Sequence, residues 1–334
     1  MDDHETKKRS LIWGILSTAR IKKAVIPPIK ASPRNMVGAI ASRDFRKAQV
    51  EAIEWGIPRY FGSYEELLAD PEIDVIYNPL PNSMHAEWTI KACQAGKHVL
   101  CEKPLAVTLD EVEAINKAAR KAGVIVAEAF MYRHHQQTLL VKELVAEGSI
   151  GAPVLVRGAF SFNISNPSDV RLSAGLAGGS VWDIGCYPIS YARFVLGREP
   201  VQVFGWQRTG TGGVDEYFSG QLRFPGDVVL QFDSSFRVPE RAFMEFVGTE
   251  GVLYVSNPFK PGNSETILLQ RPGGVEKISV NSQELYLGEI EDMADAILLG
   301  KTPRITIADS YNNVATILGL LTSAQQNEPV SLKL

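Results

Sequence analysis

Four stretches of this sequence carry side chains whose types and spacing can do chemistry. In Cys101-Glu102-Lys103-Pro104 a lysine stands just past an apolar run. The proline restricts its backbone and Glu102 supplies a local countercharge, so the ammonium can be held in one place; the plainer alternative is a Glu–Lys pair on a loop. A second apolar run ends in Asn78, Pro79, Leu80, Asn82 and His85. The third, Gly14-Ile15-Leu16-Ser17-Thr18-Ala19, half-matches the dinucleotide fingerprint Gly-x-Gly-x-x-Gly/Ala. Gly14 fits the tight turn and Ala19 the close helix packing, but Leu16 stands where a glycine would admit a pyrophosphate. Ser17 and Thr18 offer hydroxyls and amides to phosphate at a helix N-terminus. A glycine that merely turns the chain is the alternative. The fourth is Ala41-Ser42-Arg43-Asp44, with Lys47 one turn further. Ser42, Arg43 and Lys47 suit a ribose 2′-phosphate, which favours NADP, whereas Asp44 can serve the free 2′-hydroxyl of NAD instead. Arg43 as a solvated surface charge remains open.

These groups need elements that bring them together. Over the first 130 residues, apolar runs (Leu11–Leu16, Met36–Ala41, Val75–Tyr77, His98–Cys101, Val124–Ala127) alternate with helical patterns (Phe45–Trp55, Tyr64–Ala69, Ala86–Ala95, Leu109–Ala122). That alternation predicts βαβ units and a parallel sheet covered on both faces, with ligands beyond the carboxyl ends of the strands. Glu102 and Lys103 then face the same crevice as Asn78–His85. Capping boxes open two helices, at Ser63–Glu66 and Thr108–Glu111. Pro27-Pro28 predicts a kinked or short first helix.

From Pro153 the pattern changes to alternation of period two, as in Val154–Ile164 and Val228–Val238. Further strands are expected at Val201–Arg208, Phe218–Phe224, Ala242–Val247, Val252–Val255, Thr266–Gln270 and Lys277–Val280. Phe224-Pro225-Gly226-Asp227 and Arg271-Pro272-Gly273-Gly274 supply turn chemistry. The expectation is an open antiparallel sheet, with helices at Ser180–Leu196, Glu289–Leu299 and Asp309–Gln325. The fold class is α/β, in two domains, residues 1–130 and 131–334.

Composition narrows the function. The 334 residues are 45% hydrophobic and 22% charged, an ordinary globular balance. Thirty-four basic against 38 acidic residues give −4, and the longest basic run, Lys7-Lys8-Arg9, is too short for a nucleic-acid surface. Three widely spaced cysteines, Cys93, Cys101 and Cys186, are not a disulfide framework. No stretch suits a membrane span, and the charged N-terminus lacks the apolar core of a secretion signal, which points to the cytoplasm. Five histidines without a His-x-x-x-His spacing give no expectation of a metal.

The segment Val99–Ala106 resembles the Glu-Lys-Pro motif of the glucose–fructose oxidoreductase and inositol dehydrogenase (Gfo/Idh/MocA) family. Trp13–Ile21, Asn78–His85, Glu128–Arg133 and Gly178–Tyr187 are similar to further family segments, in the same order along nearly the whole chain. The resemblance implies a Rossmann domain followed by an α/β domain with an open, mainly antiparallel sheet. It also implies hydride transfer between a nicotinamide and a sugar, keto-sugar or cyclic diol. Lys103 would lie at the substrate, and Asp183 and Tyr187 would occupy the acid/base stretch. Tyrosine in place of the commoner histidine puts the chain nearer the branch of dimeric dihydrodiol dehydrogenase and NADP-dependent xylose dehydrogenase than inositol dehydrogenase.

On that basis Tyr187 is the proton donor and acceptor. Its pKa of ~10 makes it a poor base unless Lys103 stabilises the phenolate. Asp183, one helical turn earlier, accepts a substrate hydroxyl or orients Lys103. Arg133, His134, Asn163 and Arg171 are candidates for the substrate pocket. Two other readings stay open: a reductase of nucleotide-activated keto-sugars, drawing on Arg171 and Arg208, and a catalytically silent NADP-binding sensor. Apolar residues on both parities of the second sheet, in Val228-Val229-Leu230 and at Phe243 with Phe246, predict a self-association face, and a homodimer or homotetramer.

Overall fold

The computed structural model describes residues 10–334, so Lys7-Lys8-Arg9 lies outside the described residues. The first sheet contains β1 (Leu11–Leu16), β2 (Asn35–Ala41), β3 (Arg59–Phe61), β4 (Val75–Asn78), β5 (His98–Glu102) and β6 (Val126–Ala129), in the order β3-β2-β1-β4-β5-β6. Every pairing is parallel. Strands covered on both faces read as continuous apolar runs, and β4 and β6 are buried throughout. The strand order reverses between β1 and β4, which opens a crevice at their carboxyl ends.

The helices α1 (Lys22–Ala31), α2 (Phe45–Trp55), α3 (Tyr64–Ala69), α4 (His85–Gln94) and α5 (Leu109–Ala122) connect these strands. Both expected capping boxes form, at Ser63/Glu66 and Thr108/Glu111. α1 runs through Pro27 and Pro28 but is only ten residues long. β3, three half-buried residues, gave no apolar signal, and β6 begins two residues later than the run Val124–Ala127 suggested.

After α6 (Gln136–Ala146), the second sheet is built from β7 (Pro153–Ser161), β8 (Gln202–Thr209), β9 (Asp215–Arg223), β10 (Val229–Ser235), β11 (Arg241–Gly248), β12 (Val252–Val255), β13 (Ser264–Arg271), β14 (Gly274–Asn281) and β15 (Val330–Ser331). Its order is β14-β13-β12-β11-β7-β10-β9-β8-β15. The sheet is mainly antiparallel, as expected, with one parallel pair at its centre, β7 and β10. α7 (Cys186–Leu196) and α9 (Ile307–Gln326) pack on one face, against β7 and β8 respectively. Val156, Phe160, Leu230, Phe232, Met244 and Phe246 are buried.

The opposite face exposes Trp206, Tyr217 and Tyr254. Val228, Leu230 and Phe246 are buried in the core, so they do not form the outward patch expected from sequence; at those sites only Val229 and Phe243 are left partly exposed.

The last third of the chain also returns to the first sheet. In α8 (Leu287–Leu299), Ile290, Met293 and Ala294 are buried in one apolar cluster with Trp13, Ile15, Val25 and Ile29. Arg34 pairs with Glu291 and with Asp295, the latter at 2.6 Å, pinning the turn before β2 to α8. Met293→Ala should therefore lower unfolding free energy by roughly 2–5 kcal/mol, the usual cost of emptying such a core site. Urea denaturation of the whole chain measures it, and an unchanged midpoint would show that α8 is not part of this core.

Candidate active site

A cleft of about 940 Å³ runs from the carboxyl ends of β1, β2, β4 and β5 to the inner side of β7 and the loop before α7. Its first half is lined by Ser17, Thr18, Ala19, Arg20, Ser42, Arg43, Asp44 and Lys47, and its middle by Pro79, Leu80, Asn82, His85, Glu102 and Lys103. Asp183, Tyr187, Arg171, Phe160 and Phe162 line the far half.

At the first end the turn after β1 departs from the glycine-rich pattern in a specific way. Leu16 is fully buried, and the left-handed backbone falls on Ser17, at φ 91°. Ser17 N–H donates to the Ala41 carbonyl at 2.9 Å, and its Oγ accepts from the Ala19 N–H at 3.0 Å. Leu16 is thus a core residue and does not line the cleft. Gly14 does not line it either; a Cβ there would stand 2.8 Å from Leu67, so that glycine serves packing under α3. Asp44 Oδ1 accepts from the Arg46 and Lys47 N–H groups at 3.0 and 3.2 Å, which commits this carboxylate to capping α2. Arg43 stands beside Tyr64, whose phenol is raised by burial against the pull of that guanidinium.

In the middle, Asn78 is fully buried, and it is a brace, not a contact of the cleft. Its Nδ2 donates to the His85 carbonyl and Thr89 Oγ1, both at 3.2 Å, and its Oδ1 accepts from the Leu80 N–H. His85 Nδ1 lies 2.6 Å from the Pro104 carbonyl and Nε2 lies 2.6 Å from that of Leu80; a neutral ring donates to one of them. Burial pushes its pKa down to about 4 despite these carbonyls. Asn82 Nδ2 crosses the cleft to the Ala177 carbonyl at 2.9 Å. Glu102 accepts from the Tyr77 hydroxyl at 2.5 Å.

Lys103 Nζ donates to the Asp183 carbonyl at 2.7 Å and to its Oδ1 at 2.9 Å, and Arg171 Nε holds the other carboxylate oxygen at 2.8 Å. Burial works against both charges. The Asp183 carboxylate nevertheless lifts the lysine above its ordinary value, while Lys103 and Arg171 hold Asp183 below its own. The three charges stabilise one another in their ionised forms.

The loop that presents Asp183 is shaped by close approaches. A π turn, Val181–Gly185, precedes α7 and replaces the plain helix expected over Ser180–Leu196. Asp215 Oδ2 accepts from Ser180 Oγ at 2.7 Å and from the Val181 N–H at 2.8 Å. Gly179 sits at φ 120°, and a Cβ there would fall 2.3 Å from Asp215 Oδ1. Nothing in the sequence pattern marked Asp215 as the residue holding this turn.

Tyr187 lies with its ring centroid 5.3 Å from Lys103 Nζ. Phe130, Tyr132, Phe160 and Phe259 surround the ring, with centroids 5.3 to 5.6 Å away. Its hydroxyl has the Met131 sulfur at 4.0 Å as a weak neighbour. The expected lowering of its pKa by Lys103 is corrected: burial drives it well above its ordinary value, and Cys186 and Glu102 add to the rise. The phenol keeps its proton at neutral pH and stands as a donor.

Three candidates for the substrate pocket fall away from the cleft. Arg133 is buried, donating to Ser190 Oγ at 3.0 Å and Asp309 Oδ2 at 3.1 Å and lying 4.1 Å from the Phe194 ring centroid, so it is an internal strut. His134 is buried and does not line the cleft, and Asn163 is exposed outside it. Phe160, Phe162, Met131 and Tyr286, which do line it, were not singled out; they look like ordinary core positions in sequence.

Residues 11–130 match an oxidoreductase family with an NAD-binding Rossmann fold, and residues 138–254 match the GFO/IDH/MocA C-terminal domain. The chain is 40% identical over 327 residues to D-xylose 1-dehydrogenase (NADP(+)) 2 of Haloferax volcanii, covering 96% of this chain and 100% of that one. Among solved structures it is similar to aldose-aldose oxidoreductase from Caulobacter crescentus complexed with glycerol, with TM-score 0.91, 27% identity, and 97% and 100% of the two chains covered. A 3-ketoreductase from Actinomadura kijaniata with NADP and TDP-benzene gives TM-score 0.90 and 29% identity over 94% and 98% of the chains.

Proposed function

The chain belongs to the GFO/IDH/MocA oxidoreductase family, and we propose that it is an NADP-dependent enzyme moving a hydride between nicotinamide and a sugar, keto-sugar or cyclic diol, with pyranoses such as xylose or glucose favoured. The relative named as an NADP-dependent xylose dehydrogenase supports this reading. The observation that carries it is the meeting, across one cleft, of the Lys103 ammonium just past β5 and the Tyr187 phenol of α7, 5.3 Å from nitrogen to ring centroid.

The first half of the cleft fits the cofactor. Ser17, Thr18 and Ala19 would take the pyrophosphate; Ser42, Arg43 and Lys47 would take the 2′-phosphate, since Asp44 is already occupied as a helix cap. The nicotinamide supplies or accepts the hydride. Tyr187 gives its proton to the carbonyl oxygen as charge develops there, and Lys103 stabilises that oxygen electrostatically. Asp183, with both oxygens engaged, orients Lys103. In the oxidative direction the phenol must lose its proton against the burial penalty.

A nucleotide-activated keto-sugar is the second reading, favoured by the likeness to the Actinomadura 3-ketoreductase. Against it, Arg171 is neutralised by Asp183 and Asp169, and Arg208 does not line the cleft. A silent sensor would have no use for Lys103, Asp183 and Tyr187 assembled together. We place the cofactor unit at residues 1–130 and the substrate and self-association unit at 131–334.

Lys103→Ala and Tyr187→Phe should each reduce turnover by about 10²-fold or more, the low end for acid–base groups, in a panel of aldoses, diols and keto-sugars. Wild-type rates in both variants would remove the assignment. NADP should bind at least ~tenfold more tightly than NAD, with Arg43→Ala narrowing the gap; fluorescence titration giving equal dissociation constants would refute the 2′-phosphate site.

Among the described residues no helix is long and apolar enough to cross a membrane, and all three cysteines are free and buried. The free cysteines support a cytoplasmic protein. The outer face of the second sheet, with Trp206, Tyr217 and Tyr254 exposed, supports a homodimer or homotetramer. A monomer at micromolar concentration in size-exclusion chromatography with light scattering would reject it.

A further inference from the structure

Lys103 is followed by Pro104, which has no N–H, so the first backbone donor beyond the lysine is that of Leu105. It donates to Glu128 Oε1 at 2.9 Å. Glu128 lies on β6 and pairs in register with Cys101 of β5, two residues before Lys103. It is 2% exposed and does not line the cleft. Oε2 makes no hydrogen bond of good geometry, although Ser310 of α9 lies against the carboxyl; Arg193 of α7 and Asp309 of α9 also face it. A buried carboxyl that the reaction does not use thus grips the backbone just past the ammonium.

We propose that Glu128 is a positioning residue for Lys103, fixing the loop that carries the ammonium through the Leu105 N–H. The proposal rests on the role given to Lys103 above. Two features make the grip effective. Glu128 is held within the β5–β6 pair, which also sets the start of the loop, and the fully buried Leu105 side chain holds the loop beyond Lys103. Burial raises the carboxyl to about 7, so a neutral amide is a close substitute for it near neutral pH.

The test compares Glu128→Ala, Glu128→Gln, Lys103→Ala and the double variant Lys103→Ala/Glu128→Ala, with kcat and the NADPH KM measured on a substrate that the wild type turns over. Glu128→Ala should lower kcat about tenfold while the KM for NADPH stays within about twofold, a split that general loosening of the fold would not give. Glu128→Gln should restore most of the loss, because its amide oxygen still accepts from Leu105. In the Lys103→Ala background, Glu128→Ala should cost nothing further, since coupled residues are non-additive. If Glu128→Ala does not fold, Glu128→Met fills the space without an acceptor and carries the same expectations. Wild-type kcat in Glu128→Ala, equal loss in Glu128→Gln, or full extra loss in the double variant would overturn the proposal. A fully active Lys103→Ala would instead overturn the functional reading on which it rests.

Discussion

The interaction on which the rest of the structure depends is the ion pair between Lys103 and Asp183. Lys103 follows β5 of the first sheet and Asp183 lies in the π turn before α7, and each is largely out of water, with side-chain exposures of 11% and 17%. Removing such charges from water costs several kcal/mol per ion unless partners replace the lost hydration. Here Lys103 receives two oxygens of one residue, and the carboxylate is shared with Arg171. The chain is therefore committed to bringing the ends of β5 and the π turn together. That commitment fixes the width of the cleft at its reactive end.

The surroundings enforce this geometry with little slack. Asp215 and the two glycines before Ser180 set the turn that presents Asp183, and a side chain at Gly178 would strike the Arg171 carbonyl at 2.3 Å. The aromatic ring set around Tyr187 holds the phenol by packing, and among the described residues its hydroxyl has the Met131 thioether as a weak neighbour. An acid kept protonated by burial, beside a base kept protonated by a carboxylate, is an arrangement suited to a substrate oxygen that becomes more negative as reaction proceeds.

Much of this was legible in the chain. The parallel strands announced themselves because strands buried on both faces must be apolar without alternation, and the capping boxes marked helix starts within a residue or two. Lys103, Arg171, Asp183 and Tyr187 meet in one cleft as expected. What failed to show depended on long-range packing. Arg133 sits in a plausible motif, yet its guanidinium turns inward to Ser190 and Asp309, a choice made by α7 and α9 far along the chain. Leu16 occupied a glycine position, but the conformational burden had moved one residue on, to Ser17. The direction of the Tyr187 pKa was misjudged because proximity to a cation was weighed without the cost of enclosure, which here is larger.

The return of α8 to the first sheet has a consequence for how the chain comes into being. During synthesis the strands up to residue 129 emerge before the helix that supplies Ile290 and Met293 to their apolar core. The nascent polypeptide must hold that unfinished surface against water, or against a chaperone, while well over a hundred further residues are translated. For this architecture the order of birth and the order of completion are opposite.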